Sequence, residues 1–392
     1  MKYNFDEVIN RKNTNCIKYD SIKTSGKPEN IIPLWVADMD FKSPPAVSEA
    51  LIKISQHGIF GYSHIDDTYF KAVFQWYHTR FGWDIQREWL INTPGVVHAL
   101  ATAVRAFTKK GESVLIQTPV YPPFYTSITE NHRILVTNQL IYQNGTYQID
   151  FDDFEQQIKQ HQVKLFILCS PHNPIGRVWT KQELTKMIEI CQKYHVLIIS
   201  DEIHSDFVYQ KGTHHILASL NPIIEQNCII CTAPSKTFNL AGLQISNILI
   251  PNPKIREKFL TVLSANHTGD PNLFGLTACQ AAYEHGAEWL DQLLIYLSEN
   301  ICYVRDFLKK QIPQIQFIQP QGTYLLWLDC TALPIAPEQL EDFFIHQAGL
   351  WLNDGTMFGE NAKGFQRVNI ACPRSILEQA MHQLKLAVDR LY

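Results

Sequence analysis

Short apolar runs recur along this chain without the in-and-out alternation of a half-exposed strand. Leu165 to Ser170, Val196 to Ser200, Cys228 to Thr232 and Ile245 to Ile250 are apolar almost throughout, and Trp89-Leu90-Ile91 and Ser113 to Gln117 are shorter runs of the same kind. Helical periodicity fills the gaps. Val47, Ala50, Leu51 and Ile54 repeat at helical spacing and predict a helix from Ala46 to about Gln56. Tyr69 to Phe81 and Val96 to about Thr108 read the same way, and Thr180-Lys181-Gln182-Glu183 has the capping-box pattern that opens a helix to about Tyr194. Non-alternating strands separated by helices predict a sheet buried on both faces, hence mostly parallel.

After about residue 287 the pattern changes. A helix from about Glu288 to Gln311 leads into strands near 315–318, 323–328 and 367–371, with helices near 337–347 and 375–391. The expected organisation is an N-terminal arm (1–48) packing on the small domain, a large domain (49–287) and a smaller α+β domain (288–392). In buried parallel sheets, ligands bind outside the carboxyl ends of the strands. Gly95, Tyr121, Asn173, Asp201 and Lys236 each lie just after a predicted strand.

Composition narrows the function. The chain has 392 residues and a net charge of −4, so no basic stripe points to a nucleic acid. No apolar stretch approaches the roughly 18 residues of a membrane span. The start, Met-Lys-Tyr-Asn-Phe-Asp-Glu, lacks the apolar core of a signal peptide. Nine cysteines, mostly inside apolar runs, suit a reducing compartment, and the expected location is the cytoplasm. Cys228 and Cys231 match C-x-x-C, but in a strand they point to opposite faces, which fits core packing better than redox or zinc chemistry.

The candidate chemistry centres on Lys236, in Cys231-Thr232-Ala233-Pro234-Ser235-Lys236-Thr237. A poorly solvated ammonium has a lowered pKa, and the neutral amine then condenses with aldehydes such as that of pyridoxal phosphate; a surface Lys on a loop is the plainer reading. Asp201, otherwise a helix N-cap, could keep a pyridine nitrogen protonated. Asn173, otherwise a turn residue, could donate to a phenolate oxygen, and the Tyr121 ring could stack on a heterocycle. Gly95-Val96-Val97 opens a helix, where free N–H groups form an anion site that the Ser235 hydroxyl could join. Arg367 lies in a strand-like run, where it pairs with an Asp or Glu or clamps a substrate carboxylate. His204 and Asp206 have no second cluster of ligands to make a metal site, and none is expected.

Together these residues resemble the pyridoxal-phosphate enzymes of the aspartate aminotransferase fold. The shared order is Gly-Tyr (61–62), Pro-Gly (94–95), Tyr121, Asn-Pro-x-Gly (173–176), Asp-x-x-His (201–204), Ser-Lys (235–236), Pro-x-Gly-x-Tyr-x-x-Trp (320–327) and Arg367. Pro-Leu-Trp-Val-Ala-Asp-Met-Asp-Phe (33–41), Asp-Glu-Ile-His and Phe-Asn-Leu-Ala-Gly-Leu-Gln are similar to the cystathionine β-lyase branch, including its maltose-regulon modulator type.

The resemblance implies an α/β fold of type I, with a mostly parallel seven-stranded sheet and a smaller α+β C-terminal domain. It implies that Lys236 holds the cofactor aldehyde and moves the Cα proton, that Asp201 meets the ring nitrogen, and that Asn173 and His204 approach the ring oxygen. Tyr121 would stack, Gly95, Val96, Val97 and Ser235 would hold the phosphate, and Tyr62 would reach across a homodimer. Arg367, Trp35 and Ala37 would meet the substrate. Two departures stand out: His204 where aminotransferases of this fold often have Tyr, and Gln244 where they commonly have Arg. The expected reaction is β-elimination from L-cystathionine or another cysteine S-conjugate, giving a thiol, pyruvate and ammonia. An aminotransferase and a regulatory docking protein are the alternatives.

Overall fold

Seven strands form the central sheet of the computed structural model, which describes residues 2–392. In chain order they are β1 (Leu90–Thr93), β2 (Ser113–Thr118), β3 (Ile134–Gln139), β4 (Leu165–Cys169), β5 (Leu197–Asp201), β6 (Cys228–Thr232) and β7 (Ser246–Leu249). Their order across the sheet is β1-β7-β6-β5-β4-β2-β3. All neighbouring pairs are parallel except those of β7, which runs against both β1 and β6. Because one reversed strand sits between two codirectional ones, the start of β7 lies at the same edge as the ends of the others.

Both faces are covered, as the non-alternating runs require. Ile116, Ile167, Ile199, Ile229 and Cys231 pack with the helix Val96–Phe107 on one side. Leu115, Phe166, Leu168, Ile198, Cys228 and Ile230 join the larger core on the other. Cys228 and Cys231 thus face opposite sides, and all nine cysteines are free thiols.

The strand missing from the six apolar runs is β3. It is an edge strand whose Val136 and Asn138 are buried between exposed neighbours, so it carries the polar alternation of a half-covered strand.

A second sheet of four strands holds β8 (Gln316–Ile318), β9 (Leu325–Asp329), β10 (Asn353–Asp354) and β11 (Phe365–Asn369), in the order β8-β9-β11-β10, all antiparallel. Helices Ala287–Gln311 and Arg374–Asp389 pack beside it. Residues 337–347 are not the single helix that their spacing suggests. They split into a 3₁₀ turn, one α turn and a π turn at Phe343–Gln347. Phe343, Phe344 and Ile345 are all buried, and a wider turn gathers three consecutive side chains over a narrower arc.

The N-terminal segment is tied down at two levels. Ile32–Pro33 pairs in parallel with Leu350–Trp351. Beside it lies a buried charge cluster in which Lys18, fully enclosed, sits 2.8 Å from Asp40 and 3.6 Å from Asp38. Arg11 bridges the same two carboxylates at 2.7 and 2.6 Å. Nothing in the local sequence pattern marks these four residues as partners, because they meet only through the path of the chain.

Candidate active site

One cavity of about 170 Å³ opens at the strand edge where β1, β2, β4, β5 and β6 end and β7 begins. Of the candidate residues, Ala37, Gly95, Val96, Val97, Tyr121, Asn173, Asp201, His204, Ser235 and Lys236 line it. The reversed strand explains two further wall residues, Gln244 and Ile245, which precede β7.

Lys236 stands on a one-turn helix, Pro234–Thr237, rather than on an open loop. Its Nζ donates to the Ala37 carbonyl at 2.7 Å. Burial, helped by the Arg367 cation, lowers its pKa to about 8, within reach of a neutral amine near physiological pH. Thr237 is anchored behind it through a 2.8 Å hydrogen bond to Asp206, which also lies 3.0 Å from Arg80. Asp206 is thus engaged by the turn and by Arg80, and among the described residues no three His, Cys, Asp or Glu side chains converge as metal ligands.

Asp201 ends β5 inside the cavity, accepting a hydrogen bond from Ile203 N at 3.1 Å. Burial raises its carboxyl to about 7, with the Ile203 N–H and the Lys236 cation pulling it back. A ring-nitrogen cation about 4 Å away would contribute roughly 4 kcal/mol at an effective dielectric near 20. That is about three pKa units, enough to return the carboxyl to its ionised form.

His204 is held neutral, its pKa pushed down to about 3 by burial and then by the Lys236 and Arg367 cations. Its Nδ1 is buried without a partner. At the far end, the helix Val96–Phe107 begins at Gly95 with no side-chain cap, leaving its first N–H groups free beside Ser235. Gln244 adds no charge to this wall, so an anion placed here would meet backbone N–H groups and the Ser235 hydroxyl.

Arg367 lies on β11, buried, and its Nη1 donates to Asn173 Oδ1 at 3.0 Å. Nη2 donates to the Trp35 carbonyl at 2.9 Å and to Asn353 Oδ1 at 2.6 Å. Among the described residues no Asp or Glu pairs with it, and Nε has no partner. Of the two sequence readings, the internal ion pair is therefore absent, and a buried cation keeps donors unused. Burial lowers its pKa to about 10, so it stays charged at neutral pH.

Three candidates are not among the lining residues: Arg367, which reaches the cavity through Asn173, and Trp35 and Tyr62. The Trp35 ring stacks on Trp351 with centroids 4.5 Å apart, so its backbone carbonyl is what meets Arg367. Tyr62 is fully exposed. Tyr324 was visible only as part of a motif, yet its hydroxyl donates to the Ala37 carbonyl at 2.9 Å beside Lys236.

Pyridoxal phosphate fits this donor set. An unpartnered imidazole nitrogen, an uncapped helix start and a carboxyl in no ion pair are the complements of a phenolate oxygen, a phosphate and a pyridinium nitrogen. Residues 29–384 match the family model described as aminotransferase class I and II. The chain belongs to the aminotransferase class I and II family. Within that family it is 40% identical to the cystathionine β-lyase PatB of Bacillus subtilis, over 98% of this chain and 100% of the relative. It is 33% identical to protein MalY of Escherichia coli, covering 98% and 99% of the two chains. The solved structure of cystalysin from Treponema denticola, which contains pyridoxal 5'-phosphate, is similar with a TM-score of 0.96 at 39% identity, covering 100% of both chains. The family's α/β fold, with its mostly parallel seven-stranded sheet, is the fold of this chain.

Proposed function

We propose that this protein is a pyridoxal-phosphate-dependent carbon–sulfur β-lyase. It converts L-cystathionine, or another cysteine S-conjugate, and water into a thiol, pyruvate and ammonia. The observation that carries the reading is the pairing of Lys236, an amine with a pKa near 8, with Arg367, a buried cation that no internal carboxylate neutralises. An α-amino acid carries the groups that match both. The lyase outcome, rather than amino transfer, is supported by relatives named for that activity along the whole length of the chain.

Pyridoxal phosphate supplies, when bound, an aldehyde for the substrate amine and a ring that takes up the electron pair left at Cα. The chain's residues do the rest. Arg367 meets the substrate carboxylate with its buried charge and with the donors its internal partners leave unused, Nε–H and the second Nη1 hydrogen. Lys236 Nζ, once free, takes the Cα proton and then returns a proton to the departing sulfur. Asp201 would keep its negative charge toward the ring nitrogen, and neutral His204 and the Asn173 amide would hold the ring oxygen. Tyr121 would stack, while Gly95, Val96, Val97 and Ser235 would hold the phosphate. Ala37 would border the substrate, and Trp35 would act on it through the carbonyl that holds Arg367.

The working unit in this proposal is a homodimer. Ile59, Phe60 and Tyr62 form an exposed, largely apolar stretch, and a second copy would bury it and bring Tyr62 to the neighbouring cavity. Residues 49–287 and 288–392 then act as large and small domains. A cytoplasmic setting agrees with nine free thiols, and among the described residues no helix is long and apolar enough to cross a membrane.

The test is purified protein with added cofactor and L-cystathionine, and no keto acid. Equal amounts of pyruvate and homocysteine are expected. Turnover that appears only when a keto acid is supplied would make the protein an aminotransferase instead.

A further inference from the structure

Residues 35–41 run between the Lys236 turn and strand β11, and side chains from both take hold of their backbone. Asn239, three residues after Lys236, uses its whole amide: Nδ2 donates to Met39 O at 2.9 Å and Phe41 O at 3.0 Å, and Oδ1 accepts from Met39 N at 3.0 Å. Asn369, two residues after Arg367, does the same from the other side. Its Nδ2 donates to Val36 O and Asp38 O, both at 2.6 Å, and its Oδ1 accepts from Ala371 N at 2.8 Å. The peptide units before and after the one that carries the Ala37 carbonyl are therefore held, through Val36 O on one side and through Asp38 O and Met39 N on the other. Between them the Ala37 carbonyl faces Lys236 Nζ at 2.7 Å, a distance typical of a charge-assisted hydrogen bond.

We propose that Asn239 and Asn369 are positioning residues, which hold the Ala37 carbonyl as the resting place of the Lys236 amine whenever that amine is free. This rests on the reading of Lys236 as the proton carrier. A carrier that is released from the cofactor once per turnover needs a fixed acceptor, or its nitrogen wanders from the substrate Cα. Misplacement by about 1 Å costs on the order of 10²-fold in rate. Neither Asn lines the cavity, so their effect reaches the chemistry through Ala37 and Lys236.

The experiment compares Asn239→Ala, Asn239→Asp and Asn369→Ala with the parent chain in two measurements. With cofactor and saturating cystathionine, kcat is expected to fall about 10- to 100-fold while KM moves less than about threefold. In cofactor-free protein, the rate of pyridoxal phosphate uptake against pH reports the Lys236 amine directly. Loss of the fixed acceptor disfavours the ammonium, so the midpoint should move down by about one pH unit. Asn239→Asp keeps the acceptor for Met39 N–H and provides the reading should the alanine variant not fold. An unshifted midpoint, or a kcat loss matched by an equal rise in KM, would overturn the proposal. If the parent chain released no pyruvate, the lyase assignment would fail, while the uptake midpoints would still judge the role of the two asparagines.

Discussion

Lys236 concentrates the residue-scale argument, because its environment and not its identity makes it reactive. Partly buried at the cavity wall, it has its pKa lowered to about 8 by desolvation and then by the Arg367 cation. Below that pH the amine is protonated and cannot attack an aldehyde, so cofactor uptake by cofactor-free protein should rise with pH and be half-maximal near 8. A stopped-flow absorbance series checks this, and a midpoint above 10 would mean a solvated lysine. Arg367→Ala should lower kcat/KM by at least about 30-fold, since truncating one side of a buried charge pair costs roughly 2–5 kcal/mol. Arg367→Lys should recover little, because an ammonium cannot hold Asn173, Trp35 and Asn353 and still offer donors to a substrate. Lys236 was legible because it follows a strand that ends at one edge, and Arg367 because a charge stands inside a strand-like run. Asn239 and Asn369 were not, since their partners are backbone groups some 200 and 330 positions away.

The elements divide by how local their causes are. The helix Lys181–Lys193 was legible from four residues, and both halves of the capping box form, with Glu183 also paired to Arg177 at 2.7 Å. Thr180→Ala should lower stability by about 1 kcal/mol in a denaturant titration and leave turnover unchanged. The antiparallel course of β7 was not legible, because a strand between two others is apolar whichever way it runs. Its direction matters to the site, since it brings Gln244 and Ile245 to the cavity. The N-terminal arm is the least local of all. Asp40→Asn leaves fully enclosed Lys18 with only the longer contact to Asp38. An uncompensated buried charge should cost about 3–5 kcal/mol, measured as a lowered denaturant midpoint. Turnover should fall with it, because the arm continues into the segment that holds Lys236.

At the scale of the whole molecule, the cavity of one chain is incomplete in the proposed reading. Phe60→Asp places a charge in the exposed apolar stretch and should yield monomers by light scattering, with activity lost although Lys236 is untouched. A dimeric, active Phe60→Asp would move the interface elsewhere. The family was legible because its residues are spread over the entire chain in a fixed order, whereas Tyr62 in a single chain shows only exposure. The central claim is that one amine, Lys236, carries the chemistry. Its most direct measurement is borohydride reduction of the cofactor-loaded protein followed by peptide mass mapping. A pyridoxyl phosphate adduct on the Lys236 peptide alone, with yellow colour and activity lost together, is the predicted result. An adduct on another lysine, or an unmodified Lys236 peptide in fully inactivated protein, would contradict it.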